Sequence, residues 1–183
     1  MKKIFIVSIV CIAASLQANA QRYFTKNGFI SFYSKAPLEN IEAENNQVMS
    51  VLNTQTGDLQ FSVLIKSFHF EKALMEEHFN ENYMESNKFP KATFKGVIAD
   101  ISKVSFDKDG QYPVSVSGDL TMHGVTKKVN ANGTVQVKSG KISAESTFFV
   151  KLADYQVSIP KLVKDNIAES VEIKVACQYD QKM

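Results

Sequence analysis

The side chains able to do chemistry are few and scattered. Three histidines, His69, His78 and His123, show no close pairing of the kind a metal site needs, and the cysteines lie far from them. Serines are plentiful, but no Gly-x-Ser-x-Gly turn raises one as a nucleophile. No glycine-rich loop follows a strand to cradle a phosphate. Glu76 and Glu77 form a carboxylate pair, yet they fall on what reads as the solvated face of a helix. An enzyme built here would need at least two convergent polar groups in a pocket, and only His78 and Tyr155 offer a start. Neither metal binding nor catalysis is what this chemistry advertises.

The elements that must carry these residues begin after an address. Lys2 and Lys3, the apolar run Ile4 to Ala14, and Ala18-Asn19-Ala20 have the order of a cleaved signal peptide over residues 1–20, so the mature chain is expected to start at Gln21. The apolar run is short for a membrane anchor. Cleavage removes two of the 21 basic residues and so matches them to the 19 acidic ones. A neutral mature chain argues against a nucleic-acid partner and against strong electrostatic docking on membranes. Cys11 leaves with the peptide, and Cys177 then has no intramolecular partner. It alternates with Val171, Ile173, Val175 and Tyr179, which makes it a buried, inert sulfur.

Strict alternation of apolar and polar residues marks half-buried strands, and the chain repeats it. Val114, Val116, Leu120 and Met122 share one face with Gly118. Leu59 to Ile65, Val129 to Val137, Ile142 to Leu152 and Val171 to Tyr179 behave alike. Phe29 to Tyr33, a segment around Val48 to Leu52, and Phe94 to Ile101 complete about eight strands, separated by turns such as Thr56-Gly57-Asp58, Asp109-Gly110, His123-Gly124 and Ser139-Gly140. Short connections make antiparallel neighbours, and closing the sheet removes its edges. The expected fold is a mainly β, eight-stranded antiparallel barrel in a single domain over residues 21–183. A two-sheet sandwich is the structural alternative.

One helix interrupts the strands. Met75, Phe79 and Tyr83 fall at i, i+4 and i+8, which predicts a helix over about residues 71–85, ended before Pro90. A second short helix is predicted near residues 160–168, where Pro160 suits a first helical position.

An eight-stranded barrel either fills itself with side chains or holds one small ligand. Gly118, Ala131, Gly133, Ala144 and Ser146 occupy predicted inward positions and would leave space, although glycine also serves at bends and bulges. Spacing alone leaves both outcomes open.

Three segments carry a family resemblance: Leu74 to Gly96 (LMEEHFNENYMESNKFPKATFKG), Gly118 to Val129 (GDLTMHGVTKKV) and Phe148 to Pro160 (FFVKLADYQVSIP). They resemble the YceI-like family of exported bacterial lipid-binding proteins. The middle segment is similar to that family's Gly-x-Leu-Thr-x-x-Gly-Val-Thr-Lys signature. Gln156 stands where the family usually has glycine, and Met75-Glu76-Glu77 replaces its Arg-Asp pair. The resemblance implies a lipocalin-like barrel with an apolar tunnel for a polyisoprenoid, such as a prenyl quinone, or another long-chain lipid. It implies that His78, Phe79 and Tyr83 lie near the tunnel mouth and that Phe61, Val63, Phe94, Val116, Leu120, Phe148 and Val150 line it.

The expected function is thus non-enzymatic binding, transport or storage of a long-chain lipid in the periplasm, with no cofactor beyond the lipid and no metal. The alternative is a filled barrel acting as an interaction module. Pairing of two copies stays open.

Overall fold

Alternating side chains make strands of most of the chain that the computed structural model describes, residues 21–182. The expected signal peptide lies outside the described residues. The strands are β1 (Arg22–Lys35), β2 (Asn40–Asn53), β3 (Asp58–Leu64), β4 (His69–Phe70), β5 (Lys91–Ile98), β6 (Gly110–Met122), β7 (Val125–Lys138), β8 (Lys141–Lys151), β9 (Ser170–Tyr179) and β10 (Gln181–Lys182). Eight of them run antiparallel around a closed barrel in the order β1-β2-β3-β5-β6-β7-β8-β9, and β1 returns to pair with β9. The two-residue strands β4 and β10 attach to β2 and β1. The expected barrel is therefore the observed fold, and the sandwich is not.

Closure depends on two bulges that hide β1 and β2 from a period-two reading. The β1–β2 register slips between Thr25 and Gly28 and again between Gly28 and Ile30. Each slip has its own side-chain support: Thr25 Oγ1 accepts the Asn27 N–H at 3.2 Å, and Asn45 Oδ1 accepts the Gln47 N–H at 2.8 Å. Fully buried Asn45 also donates to the Leu64 carbonyl at 2.9 Å, so the polar side chain is satisfied. A bulge bends and twists its strand, which lets long strands wrap the barrel. Elsewhere two-residue hairpins set the register. His123 and Gly124 join β6 to β7, Ser139 and Gly140 join β7 to β8, and all four take positive φ.

Several boundaries differ from expectation: β1 and β2 run well beyond the predicted 29–33 and 48–52, both helices are shorter, and β5 ends earlier. The predicted helix over 71–85 is shorter, an α-helix α1 (Ala73–His78) continued by a π turn (Phe79–Tyr83). Its start has no side-chain cap, and Glu85 takes a φ of 43° just past its end. The predicted helix at 160–168 is only a 3-10 turn, Lys161–Val163. Beyond it the Asp165 carbonyl accepts the Leu38 N–H at 2.9 Å, so the β1–β2 hairpin tip takes a group that a helix would use internally. The strand predicted to reach Ile101 stops at Ile98, because Asp100 turns into the left-handed region at φ 51° and opens a 3-10 turn.

One end of the barrel is sealed. Leu52, Leu59, Ile98, Val135, Ile142, Cys177 and Tyr179 pack there in one buried cluster. The Tyr179 hydroxyl shares a 2.8 Å hydrogen bond with Ser50, which satisfies both polar groups inside the floor. Two further clusters lie toward the other end, one around Ile65, Met84, Val150 and Tyr155, the other around Ala43, Val48, Val63 and Phe68.

Candidate functional site

The inward faces of the strands do not meet across the barrel; they enclose a cavity of about 360 Å³, within the range of ligand sites. Its wall follows the predicted alternation: Leu59, Phe61 and Val63 on β3, Val129, Ala131 and Gly133 on β7, Ala144, Ser146, Phe148 and Val150 on β8. Small residues at 131, 144 and 146 create the room, since adjacent β7 and β8 both present short side chains there. Gly133 borders the cavity too, but it is glycine because a Cβ would lie 2.6 Å from the Glu145 carbonyl oxygen. Beyond the Gly133–Ser146 pair the β7–β8 ladder stops. Ser146 Oγ donates to the Asn132 carbonyl at 2.8 Å at that point.

Gly118 is a correction. It points inward but leaves no space, because a Cβ there would lie 2.5 Å from both Gly96 Cα and Phe94 Cζ. The Phe94 ring covers the cross-strand pair Gly96–Gly118, so these glycines admit an aromatic ring rather than a ligand.

The helical segment forms one wall. Met75, His78, Phe79 and Tyr83 all border the cavity, and Met84 joins them because the π turn carries the Met84 N–H back to the Phe79 carbonyl at 2.9 Å. Phe79 sits within an aromatic group whose ring centroids lie 5.5 Å from Phe32, 5.6 Å from Phe68 and 5.0 Å from Phe70. Burial raises the Tyr83 phenol above its usual range. Glu76 faces away from the cavity and accepts the Phe70 N–H at 3.3 Å, a structural use of its carboxylate.

The ten residues tied to a tunnel by resemblance, Phe61, Val63, His78, Phe79, Tyr83, Phe94, Val116, Leu120, Phe148 and Val150, all border this one cavity. Sequence reasoning did not find Ile30, Phe32, Phe68 and Phe70, which complete the wall from β1, β4 and the turn between β3 and β4. The Phe-x-Phe spacing of Phe68 and Phe70 was the available signal, but the 3-10 turn at Ile65–Ser67 breaks the alternation before it.

Polar groups gather at the open end. Glu39, at the tip of the β1–β2 hairpin, accepts from Lys72 Nζ at 2.9 Å and from Asn166 Nδ2 at 3.4 Å. The Lys72 hydrogen bond, then that of Asn166, holds the Glu39 carboxyl below the usual range. Glu39 and Asn166 border the cavity, so this clasp ties three elements around its mouth. Ser34 Oγ, buried beside it, accepts the Ala168 N–H at 2.9 Å.

The remaining chemical candidates lie elsewhere. Tyr155 packs in the cluster with Met84 and Val150 and does not border the cavity, so it does not converge with His78. His123 bridges the Tyr155 carbonyl at 3.0 Å and Glu85 Oε2 at 2.9 Å, and its ring meets Phe89 edge-on. The Gly118 to Val129 signature thus serves as a hairpin that locks the sheet to the segment after the helix. Cys177 is buried at the floor, where desolvation pushes its thiol up to about 12 against a smaller opposing hydrogen bond from Ser50. Among the described residues no cluster of His, Cys, Asp and Glu could hold a metal, and no helix is long and apolar enough to cross a membrane.

A closed eight-stranded antiparallel barrel with a sealed floor, an apolar cavity and a helical wall defines a lipocalin-like binding fold. The YceI-like domain profile matches residues 24–179, and the chain belongs to that family. Among solved structures, the fold is similar to a polyisoprenoid binding domain from Saccharophagus degradans implicated in plant cell wall breakdown. That match has a TM-score of 0.75 at 17% identity and covers 87% of this chain and 98% of that one. BcnA of Burkholderia cenocepacia follows at 0.68 and 18%, covering 82% and 95%. The YCEI protein of Campylobacter jejuni matches at 0.61 and 16%, covering 80% and 88%. No curated protein matches the chain in sequence.

Proposed function

We propose that this protein is a non-enzymatic binder of a polyisoprenoid or other long-chain lipid, held in the barrel cavity and carried or stored in the periplasm. The observation that carries the reading is the cavity itself, walled by apolar side chains from every barrel strand and floored by the buried cluster at Tyr179. Such a space excludes water from its guest, and each buried methylene contributes about 0.8 kcal/mol, so a prenyl chain binds without an ionic anchor. Membership of the YceI-like family and the polyisoprenoid-binding description of the S. degradans neighbour support the same class of guest. A prenyl quinone fits the reading, with its polar ring toward Glu39, His78 and Asn166 at the mouth. The filled-barrel alternative is disfavoured by the unfilled space between β3, β7 and β8.

The test is solvent extraction of protein purified without detergent, followed by mass spectrometry of the extract. A long-chain lipid in near one-to-one amount is expected. An extract free of such a lipid, from a protein that also takes up no prenyl chain when offered one, would sink the proposal.

A further inference from the structure

Among the described residues, Leu162 is 98% exposed, Leu38 73% and Leu74 61%. They stand on three separate elements: the 3-10 turn at 161–163, the tip of the β1–β2 hairpin, and α1. Each directly precedes a residue that borders the cavity, namely Val163, Glu39 and Met75. The elements are also tied together, through Leu38 N–H to the Asp165 carbonyl and through the Glu39 clasp to Lys72 and Asn166. The three leucines therefore ring one opening. The other exposed large apolar residues lie on the outer sides of the barrel, each directly opposite a polar residue. On their strands Met49 faces Ser62, Leu64 faces Lys91, Val97 faces Asp58 and Ser117, and Phe149 faces Glu172.

We infer that this mouth docks on a phospholipid bilayer, with Leu38, Leu74 and Leu162 entering the boundary between headgroups and acyl chains. The inference rests on the reading of the cavity as a lipid site. A prenyl chain resides in a bilayer, and its path to the cavity crosses water unless the rim seals against the membrane. Apolar residues are needed at that rim and nowhere else on the barrel. Charges around it are of both signs, with Lys35, Lys72, Lys161 and Lys164 beside Glu39, Glu71, Asp165 and Glu169, so the docking is driven by apolar burial and not by attraction to anionic lipid. The β1–β2 ladder is paired up to Lys35 and Asn40, so the hairpin offers a partner protein no free strand edge between its two strands.

The test uses the exported protein as its host processes it, with the N-terminus read by mass spectrometry. It is floated with phosphatidylcholine vesicles, and with vesicles that also contain phosphatidylglycerol, at low and high salt. Flotation on both, insensitive to salt, is expected. Combining Leu38→Ser, Leu74→Ser and Leu162→Ser should lower the bound fraction at least about tenfold, since interfacial binding scales with apolar area. It should slow transfer of a fluorescent prenyl probe from vesicles equally, while affinity for the probe offered from detergent and the circular dichroism stay unchanged. Met49→Ser with Phe149→Ser should float as the wild type does. A wild type that never floats, a triple variant that floats unchanged, or binding lost at high salt would overturn the inference. So would a triple variant whose only change is conversion of a wild-type dimer to monomer. A wild type that floats through its leucines yet takes no probe from detergent supports the docking surface and overturns the cavity reading, so the two failures read separately.

Discussion

The rings of Phe79 and Phe32 lie stacked, centroids 5.5 Å apart and planes 23° from parallel. This contact joins the helical segment to β1, the strand that closes the barrel, and it makes the helix a wall of the cavity. Six α-helical residues without a side-chain cap have little stability of their own, so packing must hold them.

Phe79→Ala should therefore destabilise the fold by about 2–4 kcal/mol in urea unfolding, through loss of ring contacts and the void left behind. Amide exchange should rise first across residues 73–83. A loss well under 1 kcal/mol would show that the helix does not depend on the aromatic group.

Gly118→Ala tests the opposite error, too much bulk. Its Cβ would meet Gly96 Cα and the Phe94 ring at 2.5 Å, both hemmed in by the β5–β6 ladder. A loss of about 1–3 kcal/mol is expected, typical of overpacking. Phe94→Leu in the same chain should recover part of it.

Ala131→Phe and Ala144→Phe place rings into open space, because both alanines border the cavity. Stability should change by less than about 1 kcal/mol for Ala131→Phe, and should fall by about 1–3 kcal/mol for Ala144→Phe, whose alanine also packs against the floor cluster. Uptake of a prenyl probe should fall at least about tenfold, because the volume its chain would fill is taken. Unchanged uptake in both variants would place the guest elsewhere.

Alkaline pH should weaken the fold through Cys177. Burial raises the folded thiol to about 12 from an ordinary 9.0. A group with a raised folded pKa contributes stability that is complete below the unfolded value and fades as pH climbs toward the folded one. Unfolding free energy should thus fall between about pH 9 and 12, by up to about 1.4 kcal/mol per pH unit from this group. Burial also raises the Tyr179 phenol, which adds to the slope in the same direction. Cys177→Ala should flatten the profile in part, and thiol reagents should label the native protein only as it unfolds.

The cavity wall was legible where strands are regular. On β3, β6, β8 and β9 every second residue faces inward because successive side chains point to opposite sides, and that rule needs no tertiary information. Met75, Phe79 and Tyr83 were readable for the equivalent reason on a helix. The wall from β1 was not. Bulges near Lys26–Asn27 and Asn46–Gln47 shift the phase of β1 and β2, so Ile30 and Phe32 fall outside any continuous alternation.

Composition and pattern thus determined a closed antiparallel barrel with a helical interruption, since half-wet strands and short turns have few other stable arrangements. Whether that barrel is hollow was beyond them. Glycine at 118 and alanine at 131 look alike in a sequence, yet Phe94 folds over the first while nothing fills the space before the second. The difference depends on where a side chain on the neighbouring strand directs its ring. That direction is set by packing between elements distant in the chain, and only the tertiary structure decides it.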